Sequence, residues 1–203
     1  NGNSWERQER EMLARGFRVI TYDRRGFGRS SRPTVGYDYN TFAADLNDAI
    51  REVTADPGVR AVLITGAGRA FSSGADLKES TEQASSEQAG DTPPDVYTVL
   101  TERYHPLITG IRHMPKPVVA AVNGPAAGIG LSLALACDLV VAAESAFFQL
   151  AFVNIGLVPD GGSSLLVPSR VGFARAAELA MLGERLGARQ ALDWGLINRV
   201  WPD

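Results

Sequence analysis

The sequence predicts an α/β domain, because one order of elements occurs twice along its 203 residues. Residues 61–77 (AVLITGAGRAFSSGADL) and 118–138 (VVAAVNGPAAGIGLSLALACD) each begin as an apolar strand, pass through a Gly-rich loop and continue as a helix. An amphipathic helix precedes each strand, over residues 39–55 and 95–114. Strands that alternate with helices in this way are typical of stacked βαβ units.

The composition fits one globular core and no specialised class of protein. Hydrophobic residues make up 45% of the chain, and the net charge of -3 gives no indication of nucleic-acid binding. The single cysteine, Cys137, excludes an internal disulfide framework and is expected to pack as a small hydrophobic residue. The two histidines, His105 and His113, are too isolated for a metal site. No apolar run reaches membrane-spanning length and no signal peptide is visible, so we expect a cytoplasmic location without membrane association.

The first 58 residues predict a helix, a strand, a loop and a second helix. Residues 5–14 form the first helix, capped by Ser4 and ended by Gly16, and residues 17–22 (FRVITY) form the strand. The second helix covers residues 39–55, and Asp56-Pro57-Gly58 ends it. Its apolar face is formed by Phe42, Leu46, Ala49, Ile50 and Val53.

The turn at residues 123–130 is a candidate oxyanion site. Glycine at 128 and 130 permits another backbone or a ligand to approach closely. A helix that begins there directs unpaired N–H groups outward, toward a negative charge. For an isolated turn of this kind, tight packing without a ligand is the alternative interpretation.

Four segments resemble, in the same order, the crotonase (enoyl-CoA hydratase/isomerase) superfamily. They are AFSSGADLK (70–78), AVNGPAAGIGLSLALACD (121–138), GLVPDGGSSLLVPSRVG (156–172) and LGERLGARQALDWGLINRV (182–200). The resemblance covers residues 48–203 and implies a spiral core of stacked ββα and βαβ turns. It also implies an acyl-CoA thioester as substrate, with coenzyme A only as part of that substrate. No metal or redox cofactor is implied, and a homo-oligomer, either trimer or hexamer, is expected.

The resemblance also assigns site residues. The N–H groups of Ala75 and Ile129 would form an oxyanion hole for a thioester enolate. The substrate-binding positions would be Ser73, Asp76, Leu77, Lys78, Gly128 and Phe152. Those from 73 to 78 would line the adenine and phosphate side of coenzyme A. Ordinary loop packing is the alternative for each of them.

The acid–base group decides the reaction. Hydratases of this superfamily use two Glu residues, and the aligned positions here are Ser132 and Phe152, which disfavours hydration by that route. Asp160, in the turn VPDGG, resembles the Asp of an isomerase branch that acts on ring epoxides and enoyl-CoA esters. Burial near Phe147, Phe148, Leu150 and Phe152 would raise the pKa of its carboxyl group and suit it to proton transfer. The alternative role for Asp160 is an N-cap of a helix over residues 161–166. Asp138 is expected to be structural, and Glu144 a surface turn residue.

Residues 2–47 resemble a different family, the α/β-hydrolases of the non-haem haloperoxidase and esterase kind. The resemblance rests on the loop Asp23, Arg25, Gly26, Gly28 and Ser30 after the strand of residues 17–22. A serine hydrolase needs a G-x-S-x-G elbow and a later His, whereas GLSLA at 130–134 lacks the final Gly and no His follows. We therefore interpret the chain as a chimera, in which residues 1–47 are a structural graft on one crotonase-like domain over residues 1–203.

The predicted activity is that of an enoyl-CoA isomerase or epoxide-type isomerase. In this prediction the N–H groups of Ala75 and Ile129 stabilise the enolate, and Asp160 moves the proton. Three alternatives remain open: an enoyl-CoA hydratase, a non-catalytic scaffold and, least supported, a serine ester hydrolase. Residues 79–94 either cover the acyl pocket or form a surface loop without a role. Since related chains continue beyond the position of Asp203, we expect an open site or an altered assembly.

Overall fold

A computed structural model describes residues 6–16, 39–74 and 96–203 of the protein. The predicted strand at 17–22, the Ser4 cap and the segment 79–94 lie outside these ranges. The first elements are α1 (Glu6–Ala14), α2 (Tyr39–Ala55) and β1 (Val62–Thr65). The predicted bounds of α2 are confirmed, and β1 begins one residue later than predicted.

The helical segment before the second strand differs from its prediction as one helix over residues 95–114. It consists of α3 (Val96–Val99), a π-helical turn (Leu100–Tyr104) and α4 (His105–Arg112). Pro106 lies in the first turn of α4 and has no N–H to donate to the carbonyl of Glu102. The chain therefore widens to a π turn before Pro106 and continues as an α-helix after it. The buried residues of α4 are Leu107, Ile108 and Ile111.

Two sheets follow. The strands are β2 (Val118–Val122), β3 (Ala126–Ala127), β4 (Leu139–Ala143), β5 (Phe147–Gln149), β6 (Leu186–Gly187) and β7 (Arg199–Trp201). Within the described ranges the larger sheet has the order β1-β2-β4-β7, and every pair in it is parallel. The smaller sheet has the order β3-β5-β6, with β3 parallel and β6 antiparallel to β5. The carboxyl ends of β1 and β2 consequently lie side by side, which places their two loops together.

Helix α5 (Ile129–Ala136) is the centre of the core. Its sequence, IGLSLALA, is apolar almost all round, which is the pattern of a helix buried on every side. Its buried residues are Gly130, Leu131, Ser132, Ala134, Leu135 and Ala136. No helix in the described part of the chain is long and apolar enough to cross a membrane.

The carboxyl end of α5 is stabilised by the burial of Cys137 and by hydrogen bonds of Asp138 and Arg170. Cys137 is fully buried, as predicted, and burial raises the pKa of its thiol to about 12, so it stays protonated. The carboxylate of Asp138 accepts a hydrogen bond from the N–H of Val118 at 2.8 Å, consistent with the structural role expected of it. The guanidinium of Arg170 donates to the carbonyl groups of Leu135 and Cys137 at 2.9 and 3.0 Å.

After β5 the chain forms short helices. A 3₁₀ helix (Ala151–Ile155) is followed by α6 (Ser163–Leu166), α7 (Pro168–Val171), α8 (Phe173–Leu182) and α9 (Ala188–Asp193). Phe152 in the 3₁₀ helix and Ser163 in α6 are buried. Trp201 in β7 is 61% exposed, whereas Trp194 is half-buried under the guanidinium of Arg175.

Lys116 fastens the end of α2 to the connection before β2. Its ammonium group donates to the carbonyl groups of Val53 and Asp56 at 2.6 and 2.7 Å. These carbonyls lie at the helix end, where acceptors lack partners in the helix and a cation is favoured.

We expect Lys116→Met to lower the free energy of unfolding by about 1.5–3 kcal/mol, measured by urea denaturation. Arg60→Met, which removes an exposed cation nearby, is the control, and an equal loss in both variants would contradict this role.

Candidate active site

The loops that follow β1 and β2 are joined by backbone hydrogen bonds. The N–H groups of Phe71 and Ser72 donate to the carbonyl of Pro125 at 3.1 and 3.0 Å. In return, the N–H of Ala127 donates to the carbonyl of Ser72 at 3.0 Å. The adjacency of the two Gly-rich loops, on which the predicted site depends, is therefore present.

The side chain of Asn123, in the loop after β2, forms hydrogen bonds with the backbone of the loop after β1. Its Oδ1 accepts a hydrogen bond from the N–H of Gly66 at 3.1 Å, and its Nδ2 donates to the carbonyl groups of Gly68 and Ala70 at 3.0 and 3.4 Å. From the sequence alone, Asn123 is predicted only as a turn residue. Its position directly after a buried strand, beside a second Gly-rich loop, was the signal that it could link the two.

Glycine is required at three positions where the loops meet. A Cβ atom on Gly124 would overlap the carbonyl oxygen of Arg69, and one on Gly130 would lie 2.5 Å from the Cβ of Ser72. The expectation of close approach at residue 130 is thus confirmed. Gly128 is required for another reason: its φ of 53° is one that L side chains rarely adopt, while a Cβ there would have no neighbour closer than 4.0 Å.

The predicted oxyanion turn contains one of its two proposed donors within the described residues. Ile129 is the first residue of α5, so its N–H has no acceptor within the helix. Among the hydrogen bonds of the described residues, this N–H donates none. The second proposed donor, Ala75, lies outside the described residues, as do Asp76, Leu77 and Lys78.

The end of the first loop that the structure describes lies against the oxyanion turn. A Cβ on Gly74 would lie 3.2 Å from the carbonyl oxygen of Ala127 and 4.0 Å from the Cα of Gly128. Ser73, a proposed substrate-binding residue, is exposed next to it. The pairing of the Ala75 and Ile129 N–H groups stays a prediction.

Asp160 carries a buried carboxyl oxygen with no hydrogen-bond partner among the described residues. This atom is Oδ1, and burial raises the pKa of the carboxyl group above its ordinary value. The alternative role as a helix cap is wrong, because the N-cap of α6 is Gly162 and no side chain caps this helix. The carbonyl oxygen of Asp160, and not its side chain, accepts a hydrogen bond from the N–H of Ser163 at 3.0 Å.

The turn of Asp160 packs directly on the first turn of α5. A Cβ on Gly161 would overlap the Cδ1 atom of Ile129, so the Ile129 side chain contacts the backbone next to Asp160. The hydroxyl of Ser132 donates to the carbonyl oxygen of Asp160 at 3.0 Å. The fold therefore brings together Ile129 and Asp160, which are 31 positions apart in the sequence.

The two positions expected to align with the hydratase Glu residues lie near the beginning of α5. Ser132 contacts Asp160, and Phe152 is buried, with its Cζ atom 4.0 Å from where a Cβ on Gly128 would lie. An aromatic ring and a hydroxyl thus occupy the two positions at which the sequence resemblance places the Glu residues of hydratases. Of the other apolar residues expected near Asp160, Phe147 lies under the guanidinium of Arg185, 4.5 Å from its ring centre.

The arrangement can hold a negative oxygen and move a proton. The N–H of Ile129, which has no acceptor among the described residues, can stabilise an oxyanion, and a carboxyl group with a raised pKa can accept and return a proton. No cluster of His, Cys, Asp and Glu that could hold a metal ion occurs in the part of the chain that the structure describes.

Comparison with known proteins gives the class of this chain. The family model described as Enoyl-CoA hydratase/isomerase matches residues 39–203, and the chain belongs to this family. A second family model, described as alpha/beta hydrolase fold, matches residues 1–59, in line with the chimera expected from the sequence. The two matches overlap over residues 39–59, which include the whole of α2.

The relatives within the family have different activities in their names. The chain is 42% identical to 1,2-epoxyphenylacetyl-CoA isomerase of Escherichia coli (strain K12), over 79% of the chain and 59% of that protein. It is 40% identical to a "Probable enoyl-CoA hydratase" of Rhodobacter capsulatus, over 96% of the chain and 68% of that protein. This second alignment extends into the N-terminal segment that also matches the hydrolase family.

A solved structure confirms the crotonase fold. The chain is similar to the crystal structure of an enoyl-CoA hydratase from Mycobacterium avium subsp. paratuberculosis K-10, with a TM-score of 0.67 and 46% identity. The match covers 80% of this chain and 58% of that one. The chain thus spans about three fifths of the length of such relatives.

Proposed function

We propose that the protein binds an acyl-CoA thioester and catalyses an isomerase-type proton transfer on its acyl group. The observation that carries this proposal is the buried Oδ1 of Asp160, which has no partner among the described residues and lies beside the turn that begins α5 at Ile129. A buried carboxyl oxygen without a hydrogen bond is costly for the folded state, and such groups are frequent where a substrate completes the site.

In the proposed reaction, ionised Asp160 removes a proton from the carbon next to the thioester carbonyl. The electron pair of that C–H bond moves toward the carbonyl oxygen, which the N–H groups of Ile129 and Ala75 stabilise as an enolate. The same carboxyl group, now protonated, returns the proton to the carbon at the far end of the enolate system, and the double bond shifts by one position. One group serves as base and then as acid, and burial raises the pKa of this carboxyl group, which suits it to both roles.

The second candidate is hydration, since the relative from R. capsulatus is named as an enoyl-CoA hydratase. The relative from E. coli is, by its name, an isomerase of a CoA ester. The side chains favour the isomerase, because neither the hydroxyl of Ser132 nor the ring of Phe152 can replace a carboxylate that activates water. The ring of Phe152, buried beside the oxyanion turn, also leaves less room for an attacking water.

The two reactions differ in the mass of the product. We expect a 3-enoyl-CoA, either straight-chain or aryl-substituted, to be converted to a 2-enoyl-CoA of the same mass, as measured by liquid chromatography and mass spectrometry. The 2-enoyl-CoA serves as the control, and its conversion to a product heavier by one water would establish the hydratase. Binding of the CoA esters without either conversion would support a non-catalytic scaffold and contradict the proposal.

The homo-oligomeric assembly, the cytoplasmic location and the organisation as one domain stay predictions. Sedimentation of the protein with and without an acyl-CoA would give its assembly.

A further inference from the structure

Two hydroxyl groups converge on one backbone atom beside the proposed base. Ser132 and Ser163 are the buried polar residues of the described core, with 0% and 1% of their surfaces exposed. Both hydroxyls donate to the carbonyl oxygen of Asp160, at 3.0 and 2.7 Å, and the N–H of Ser163 donates to the same atom at 3.0 Å. Placing two buried hydroxyls on one acceptor fixes the backbone of Asp160, while its Oδ1 is left without a partner.

The two serines belong to different elements. Ser163 opens α6, directly after the turn of Asp160, so its hydrogen bonds are local to that turn. Ser132 lies in α5, three residues after Ile129 and therefore one helical turn away on the same side. Among the described residues, the hydrogen bond that the Ser132 hydroxyl donates connects α5 to Asp160.

One turn of α5 therefore carries both the proposed oxyanion donor and the anchor of the proposed base. The N–H of Ile129 lies at its beginning and the hydroxyl of Ser132 at its end, and the Ile129 side chain packs on Gly161 between them. Because an α-helix is rigid over a single turn, a bond from its far end fixes the distance between the two groups that the reaction needs.

We propose that Ser132 is a positioning residue that sets the place of the Asp160 carboxyl group relative to the oxyanion donor of Ile129. This inference rests on the proposed function. It assigns a role in the isomerase to Ser132, which lies at a position where hydratases are expected to have a Glu. At a position where a hydratase would need a carboxylate, this chain has the hydroxyl of Ser132, which holds the first turn of α5 against Asp160. Proton transfer depends steeply on such placement, since a shift of about 1 Å can cost about a hundredfold in rate.

The test compares Ser132→Ala with Ser163→Ala in the conversion of a 3-enoyl-CoA. We expect Ser132→Ala to lower kcat about 10–100-fold and to change KM less than about twofold, because the transition state and not substrate binding loses its alignment. Ser163→Ala is the matched control: it removes the other hydroxyl, but its N–H still donates to the same carbonyl, so its kcat should fall less than about threefold. Cys137→Ala, a buried change just after α5, controls for lost stability and should leave kcat unaltered.

A second measurement separates positioning from a general structural role. In an Asp160→Asn background, Ser132→Ala should produce no further loss of rate, because the group that it positions is absent. Equal losses of kcat in the Ser132 and Ser163 variants, or a Ser132 effect that persists in the Asp160→Asn background, would overturn the inference and leave the proposed function standing. If the unaltered protein converts no enoyl-CoA, both fail together.

Discussion

Replacing Asp160 with Asn is expected to lower the rate of proton exchange at the carbon next to the thioester by a factor of about 10²–10⁴. Asn has nearly the same shape as Asp but no basic oxygen, so the half-buried position stays filled and the base is lost. Binding of the CoA ester should be retained, because the proposed substrate-binding residues do not include Asp160. Asp193→Asn, an exposed change at the end of α9, is the control. A variant at position 160 with an unaltered rate would exclude Asp160 as the base.

The pH dependence of the same rate identifies the ionisation. Burial raises the pKa of Asp160, so the exchange rate should fall as the pH drops through a value above the ordinary range of an aspartate. The folded protein also holds this proton more tightly than the unfolded chain. Its contribution to stability is therefore complete below the unfolded pKa and is lost as the pH rises through the folded pKa. Both dependences should be absent in Asp160→Asn.

Gly124→Ala is expected to separate the two loops and to lower the exchange rate about a hundredfold. The added Cβ would overlap the carbonyl oxygen of Arg69, a backbone atom that cannot rotate away. The chain must shift there, which strains the hydrogen bonds of Phe71 and Ser72 to Pro125. We expect the free energy of unfolding to fall by about 1–3 kcal/mol, measured by urea denaturation beside the exchange rate.

The same substitution at Gly110 is the matched control. Gly110 lies within α4, and a Cβ there would meet the Cγ2 of Ile50 at 3.5 Å, an ordinary van der Waals distance. Gly110→Ala should therefore leave the rate unaltered and raise stability by up to about 1 kcal/mol, because Ala is the better helix former. Similar effects at both glycines would show that the loop contact does not depend on Gly124.

Local patterns predicted the elements on which the site is built. The apolar run between Pro117 and the turn at Asn123 predicted β2 over residues 118–122, as observed. The spacing of apolar residues predicted α2 over residues 39–55. The Gly-rich loops after β1 and β2 were expected to meet because of a family resemblance, and the hydrogen bonds of Pro125 and Ser72 show that they do. Strand, helix and turn signals are local in sequence, which is why these features could be read from it.

The contacts that complete the site are not local, and they could not be predicted. Nothing in the run LSLAL indicates that the hydroxyl of Ser132 donates to the carbonyl of a residue 28 positions later. The pattern VPDGG suggested a cap for Asp160, because Asp is a favoured N-cap, but Gly162 takes that position and leaves the carboxyl oxygen unpartnered. The π turn at 100–104 was likewise hidden by a helical periodicity that continues across it.

Hydrogen exchange in heavy water tests the central claim most directly. The protein is incubated with a 3-enoyl-CoA in D₂O, and proton NMR follows the carbon next to the thioester carbonyl. We expect the unaltered protein to introduce deuterium at this carbon without adding water to the double bond, and we expect Asp160→Asn to abolish this exchange. An acyl-CoA that binds but neither isomerises nor exchanges a proton, or exchange that persists in Asp160→Asn, would contradict Asp160 as the base.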